Sequence, residues 1–136
     1  MKRTNSRIKA MISLYNYDLN KEMLDADYLD EIFHEENIEV DEDFYQEILS
    51  GVLSHYEEIN RIINLNLHNW TLDRMSIVDR NLIRIGVYEM LYTSTAKNII
   101  INEILNLTHI YSDLEEGEAA KFNNRLLDQI RKSIDG

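Results

Sequence analysis

Ser76-Ile77-Val78-Asp79-Arg80-Asn81-Leu82-Ile83-Arg84-Ile85-Gly86-Val87-Tyr88-Glu89 is the stretch whose reading decides the fold. Ser76 followed three residues later by Asp79 is a helix-start signature, in which a side-chain oxygen takes up a free backbone N–H of the first turn. The segment then places apolar anchors at helical spacing and continues to about Tyr92. Ile99-Ile100-Ile101-Asn102-Glu103 follows after the turn Thr93-Ser94-Thr95-Ala96, and Lys121-Phe122-Asn123-Asn124-Arg125-Leu126-Leu127-Asp128 closes the set. All three mix anchors with polar residues that a merely buried helix does not need. That mixture points to a partner-binding surface rather than to a catalytic pocket.

Outward from these three helices the same periodicity holds. Ile8, Met11, Ile12 and Tyr15 make one apolar stripe on a helix over about 5–19. A second helix over about 26–34 has Tyr28, Leu29, Ile32 and Phe33 as its buried set. Asp41 caps a third from about Glu42, with Phe44, Ile48, Leu49 and Val52 inward. Gly51 inside that helix costs about 1 kcal/mol relative to alanine, so another backbone is expected close by. A fourth helix covers about 59–66, a loop with a short turn surrounds Trp70, Ser112 to Glu118 reads as a polar loop, and the last helix spans about 119–133. With no proline and four glycines, little interrupts the helices. The expected fold is all-α, one domain over 1–136 of about seven helices, split into an N-terminal bundle (about 1–70) and a C-terminal bundle (about 71–136) packed together.

The 136 residues suit one domain burying roughly two-thirds of its unfolded surface. Absence of cysteine excludes disulfides and thiolate metal sites. No apolar run has the length of a secretion signal or a membrane span, so a cytoplasmic protein without a membrane role is expected. The net charge of −11 is local: 12 acidic residues and no lysine or arginine lie between Glu22 and Glu47, leaving 13 acidic against 14 basic elsewhere. That block reads as a solvated face, or else as a surface for a basic partner.

Lys2, Arg3, Arg7 and Lys9 gather before the first acid, Asp18. Arg3 and Arg7 lie about 40° apart on a helix, so these cations wrap an end rather than form a flat stripe. Guanidinium forks suit phosphate oxygens; the other reading is a solubilising end. Tyr15 and Phe122 are candidate rings for stacking on single-stranded bases, and Asn123 and Asn124, beside Lys121, are candidate amides for base edges. Arg80 and Arg84 share a face, a like-charge pair that needs compensation from Glu89 or Glu103 internally, or from RNA phosphate externally. Trp70 is the candidate anchor for a protein partner, and Tyr88 is a second candidate. Tyr88 has a second reading, shared with Glu89, Asn102 and Glu103, as a side chain held by internal pairing. His34, His55, His68 and His109 are scattered, and no glycine-rich phosphate loop or calcium loop is present. A non-enzyme with no metal and no cofactor is expected.

These segments, together with Arg7-x-x-Ala10-x-x-x-Leu14-Tyr15, Gly51-Val52, Trp70, Leu82-Ile83-Arg84 with Tyr88-Glu89, Ile101-Asn102-Glu103 and Phe122-Asn123-Asn124-Arg125, resemble the NusB family of bacterial transcription antitermination factors. The likeness runs in order over nearly the whole chain, and Asp18 to Val40 carries none of it. Ala96 stands where the family usually has proline, and Thr4-Asn5-Ser6 stand where it often has further arginines. The resemblance implies that Arg3 and Arg7 bind the boxA element of nascent RNA, that Arg84 borders the RNA path, and that the C-terminal bundle near Trp70 docks the ribosomal protein NusE. The pair would load onto the transcription elongation complex during ribosomal RNA synthesis. The alternative is a protein-only scaffold, a homodimer among its forms, whose RNA site has eroded. A continuous RNA track requires Arg7 to lie near Lys121 and Phe122.

Overall fold

A computed structural model describes residues 1–23, 25–112 and 117–136, with the side chain of Ala26 left aside. Among the described residues it contains seven α-helices and no strand: α1 Lys2–Asn20, α2 Ala26–Glu35, α3 Glu42–Ser54, α4 Tyr56–Leu65, α5 Ile77–Tyr92, α6 Lys97–Tyr111 and α7 Glu118–Asp135. A single 3₁₀ turn, Leu72–Arg74, follows the loop that carries Trp70. No helix among them is long and apolar enough to cross a membrane.

The decisive stretch becomes the central helix. Ser76 caps α5 by accepting from the backbone N–H of Asp79 at 3.1 Å and donates its hydroxyl to the Asp79 carboxylate at 2.8 Å. Every residue from Asn81 to Met90 is buried, because α5 is enclosed by α1, α3, α4, α6 and α7. At Gly86 a Cβ would lie 3.2 Å from Ile104 and 3.3 Å from Leu127, so α6 and α7 cross α5 there at close range. Asp41 caps α3 through the backbone N–H of Phe44 at 3.1 Å.

Some expectations change. Helix α1 starts at Lys2 and α4 at Tyr56, each three residues earlier than the apolar stripe indicates, because a stripe marks the packed turns and not the solvated first turn. In α2 only Leu29 and Phe33 are buried; Tyr28 is 58% exposed and Ile32 36%. What packs against Gly51 is a ring rather than a backbone, since a Cβ there would lie 2.1 Å from Cε1 of Tyr88. Of the polar loop expected from Ser112 to Glu118, residues 113–116 lie outside the described residues.

Helix directions follow from contacts at the ends. Arg7 meets Glu89 and Asp18 meets Arg80, so α1 runs antiparallel to α5. Lys97 at the start of α6 meets Asp135 at the end of α7 at 2.9 Å, and Asn123 meets Asp79, so α7 runs parallel to α5. The start of α1 therefore lies at the C-terminal end of α5, and the start of α7 at its N-terminal end.

Candidate nucleic-acid interface

Two buried ion networks hold α1 against α5, and both use residues that the sequence offered for RNA. Arg7 donates from Nε and from Nη2 to the two carboxylate oxygens of Glu89, each at 2.7 Å, with Glu103 3.5 Å from Nη1. Thr4 adds a short hydrogen bond to Glu103. Burial alone would lower the guanidinium's pKa, but the hydrogen bond and charge of Glu89, helped by Glu103, outweigh it and raise the value. The second network centres on Asp18. Arg80 grips it with two hydrogen bonds, 2.7 and 2.8 Å, and Arg84 adds a third at 2.7 Å. Arg84 also donates to Asn81 at 2.7 Å and Asn60 at 2.9 Å, and stacks over Tyr56 at 4.6 Å. Burial would raise the Asp18 pKa; the hydrogen bonds from Arg80 and Arg84 outweigh it and hold the carboxyl at about 2.

The compensating acid for Arg80 and Arg84 is thus Asp18, not Glu89 or Glu103, which serve Arg7 instead. Neither Arg7 nor Arg84 presents its guanidinium to solvent, and a phosphate would have to displace the bidentate Glu89 from Arg7, or Asp18, Asn81 and Asn60 from Arg84. Arg80 is a little more open but equally engaged. Asn123 is fully buried, its Nδ2 donating to Asp79 at 3.1 Å and Thr108 at 3.2 Å while its Oδ1 is buried without a partner among the described residues, so the side chain is enclosed in the fold. Tyr88 is buried against Gly51, with its hydroxyl 3.4 Å from Glu47. Asn102, expected to be paired inside, is exposed. Lys9 is buried between Asp30 and Glu42, and Lys2 lies 3.5 Å from Glu39, so part of the acidic block anchors α1.

The remaining candidates stay at the surface. Lys2 and Arg3 are exposed, with Arg3 lying 4.3 Å over the Phe44 ring. Tyr15 is 37% exposed, and Lys121, Phe122 and Asn124 are exposed on the first turns of α7. No ion pair involves Arg3, Lys121 or Arg125 among the described residues. The cationic tip and the start of α7 do not meet. Arg7 is level with Glu89 and Asn123 with Asp79, ten residues apart on α5, about 15 Å at 1.5 Å per residue. Glu89 and Glu103 lie at the tip's end, so the continuous track expected from Arg7 to Phe122 is absent.

What the start of α7 does meet is the loop after α4. Phe122, Arg125 and Gln129, one helical face, form a cleft of about 130 Å³ with Asn66, His68 and Trp70, over a floor that includes Leu126. Trp70 is 42% and Phe122 36% exposed. Arg74, outside the cleft lining, lies 5.2 Å over the indole. Sequence reasoning singled out Trp70 and Phe122 separately and missed Arg125, His68 and Gln129. The i, i+3, i+7 spacing of Phe122, Arg125 and Gln129 was legible, but which loop faced them was not.

Residues 4–132 match the NusB family. The chain is 36% identical over 131 residues to the transcription antitermination protein NusB of Listeria monocytogenes, covering 96% of each, and 32% identical over 136 residues to that of Bacillus subtilis, covering 99% and 98%. Among solved structures it is similar to a chain in the crystal structure of antitermination factors NusB and NusE in complex with dsRNA, with a TM-score of 0.79, 30% identity and 97% of each chain covered.

Proposed function

This chain belongs to the NusB family, and from that premise we propose that it is a transcription antitermination factor that binds boxA-type RNA together with the ribosomal protein NusE. The observation that carries this reading is the end-to-end likeness to antitermination proteins, which covers 96% or more of this chain and of each of those relatives. The protein acts as an adaptor, without catalysis, in the cytoplasm where bacterial transcription runs, and promotes processive synthesis of ribosomal RNA as part of the elongation complex. Residues 1–136 work as one unit.

Within it, the RNA contacts are the exposed set: Lys121, Phe122 and Asn124 at the start of α7, Tyr15 on α1, and Lys2 and Arg3 as a second, separate cationic contact. Arg7, Arg80, Arg84 and Asn123 hold the scaffold. Arg3 lies a further turn beyond Arg7 and Lys121 two residues beyond Asn123, so about 24 Å along α5 separates the two cationic places, the span of about seven stacked nucleotides at about 3.4 Å each, and one strand can touch both without a continuous cationic groove. Joining RNA and NusE on one adaptor turns two weak contacts into one stronger assembly through effective concentration. Fluorescence anisotropy with labelled boxA-type RNA, with and without NusE, tests this. Tighter RNA binding in the presence of NusE is the expected result, and no RNA binding in either case overturns it. The burial of Arg7 and Arg84 favours one other reading, a protein-only scaffold or homodimer with an eroded RNA site. Intact NusE binding with unmeasurable RNA binding would select it.

A further inference from the structure

We infer that the cleft between the loop after α4 and the first turns of α7 is a subsite for a single unpaired nucleobase, with Trp70 as one of its stacking walls rather than an anchor for a protein partner. This deepens the RNA-binding reading and rests on it. Four observations support the assignment. Two large rings, Trp70 and Phe122, come from separate elements, line one cavity, and remain substantially exposed. The cavity, about 130 Å³, admits a flat ring system or one side chain and excludes a helix. Arg125, with no ion pair among the described residues, stands at the same cleft, where its fork suits the phosphate next to an inserted base. His68 and Gln129, with the amide oxygen of Asn66 whose Nδ2 is bonded to the Ile62 carbonyl, supply the donors and acceptors that read base edges.

The electrostatics favour a base over an apolar peptide side chain. Arg74 lies on the indole from outside the cleft lining, holding the ring and adding positive potential beside it. A nucleotide brings a π-face for the rings and an anion for Arg125, whereas an apolar side chain leaves the guanidinium and amides without partners. Duplex RNA does not fit, because its bases are already stacked and paired.

Trp70 is the only tryptophan of the chain, so its emission reports on this cleft alone. The test titrates the full-length protein, with NusE present and absent, with a boxA-type single-stranded RNA and with its fully paired duplex. Tryptophan emission and RNA anisotropy are read in parallel. Single-stranded RNA is expected to quench Trp70 with the same midpoint as the anisotropy curve, and the duplex to leave emission unchanged. Base stacking predicts that Trp70→Ala and Phe122→Ala weaken single-strand binding roughly 5- to 150-fold, while Trp70→Phe, which keeps a ring, stays close to wild type. Circular dichroism of each variant confirms that the exposed positions leave the fold intact. RNA that binds by anisotropy without changing Trp70 emission, with Trp70→Ala binding as well as wild type, overturns the subsite and leaves the RNA-binding reading standing. Emission that responds to NusE and not to RNA also overturns it. Absence of any RNA binding removes both.

Discussion

Arg7 is buried with a bidentate grip on Glu89, and its removal strands a carboxylate inside α5. Breaking one side of such a pair costs about 3–5 kcal/mol, while replacing both sides with apolar groups recovers most of the loss. Arg7→Met should therefore lower the urea-unfolding free energy by about that amount, and Arg7→Met with Glu89→Leu should restore most of it. A single variant as stable as wild type would mean that the pair is not formed. Asp18 carries a pH signature. Its pKa is held at about 2, below its ordinary 3.8, so its contribution is complete above pH 4 and is lost as pH falls from about 4 to about 2. The shift corresponds to about 2 kcal/mol. The stability gap between wild type and Asp18→Asn should be open at neutral pH and close across that window; a gap that is independent of pH contradicts the assignment. The sequence showed that Arg80 and Arg84 needed an acid. It did not show which, because helical spacing reports neighbours along one helix and not the residue of another helix that faces them.

Among the elements, caps and central helices were the most legible. Ser76 and Asp41 close their helices as their side chains and spacing indicate, and the turn 93–96 separates α5 from α6 where expected. Helix α2 was less legible. Tyr28–Ile32 and Leu29–Phe33 are two adjacent i, i+4 pairs, and a helix of ten residues that meets α1 through Lys9, paired with Asp30 and lying over Phe33, turns only one of them inward. The α3–α5 contact gives a further test. Alanine in place of Gly51 would gain about 1 kcal/mol of helix propensity. Its Cβ, however, would sit 2.1 Å from the Tyr88 ring, which is rigid and buried. Gly51→Ala should therefore destabilise the protein in thermal unfolding, and in a Tyr88→Ala background the same substitution should become neutral or stabilising. Additive effects in the double variant would show that the two residues do not touch.

For the whole molecule, the helical class and the family were readable from patterning and motif order, whereas the geometry of the RNA surface was not. The charged residues within the family's motifs, Arg7 and Arg84, turn out to lock α1 to α5, whereas Lys2 and Arg3 at one end and Lys121 and Arg125 at the other are exposed. Charge counted along a chain says nothing about burial, so a cation that holds the scaffold and one that meets a phosphate look alike until the helices are packed. Within the acidic 22–47 block, Asp30, Glu39 and Glu42 pair with Lys2 and Lys9 and so help to anchor α1. The most direct test of the account is the salt dependence of boxA-type RNA affinity, in the presence of NusE, for wild type and for Lys121→Glu with Arg125→Glu. Loss of two phosphate contacts predicts weaker binding and a slope of log K against log salt shallower by about 1.4, with the unfolding midpoint unchanged. Equal affinity and equal slope in the two proteins would contradict it.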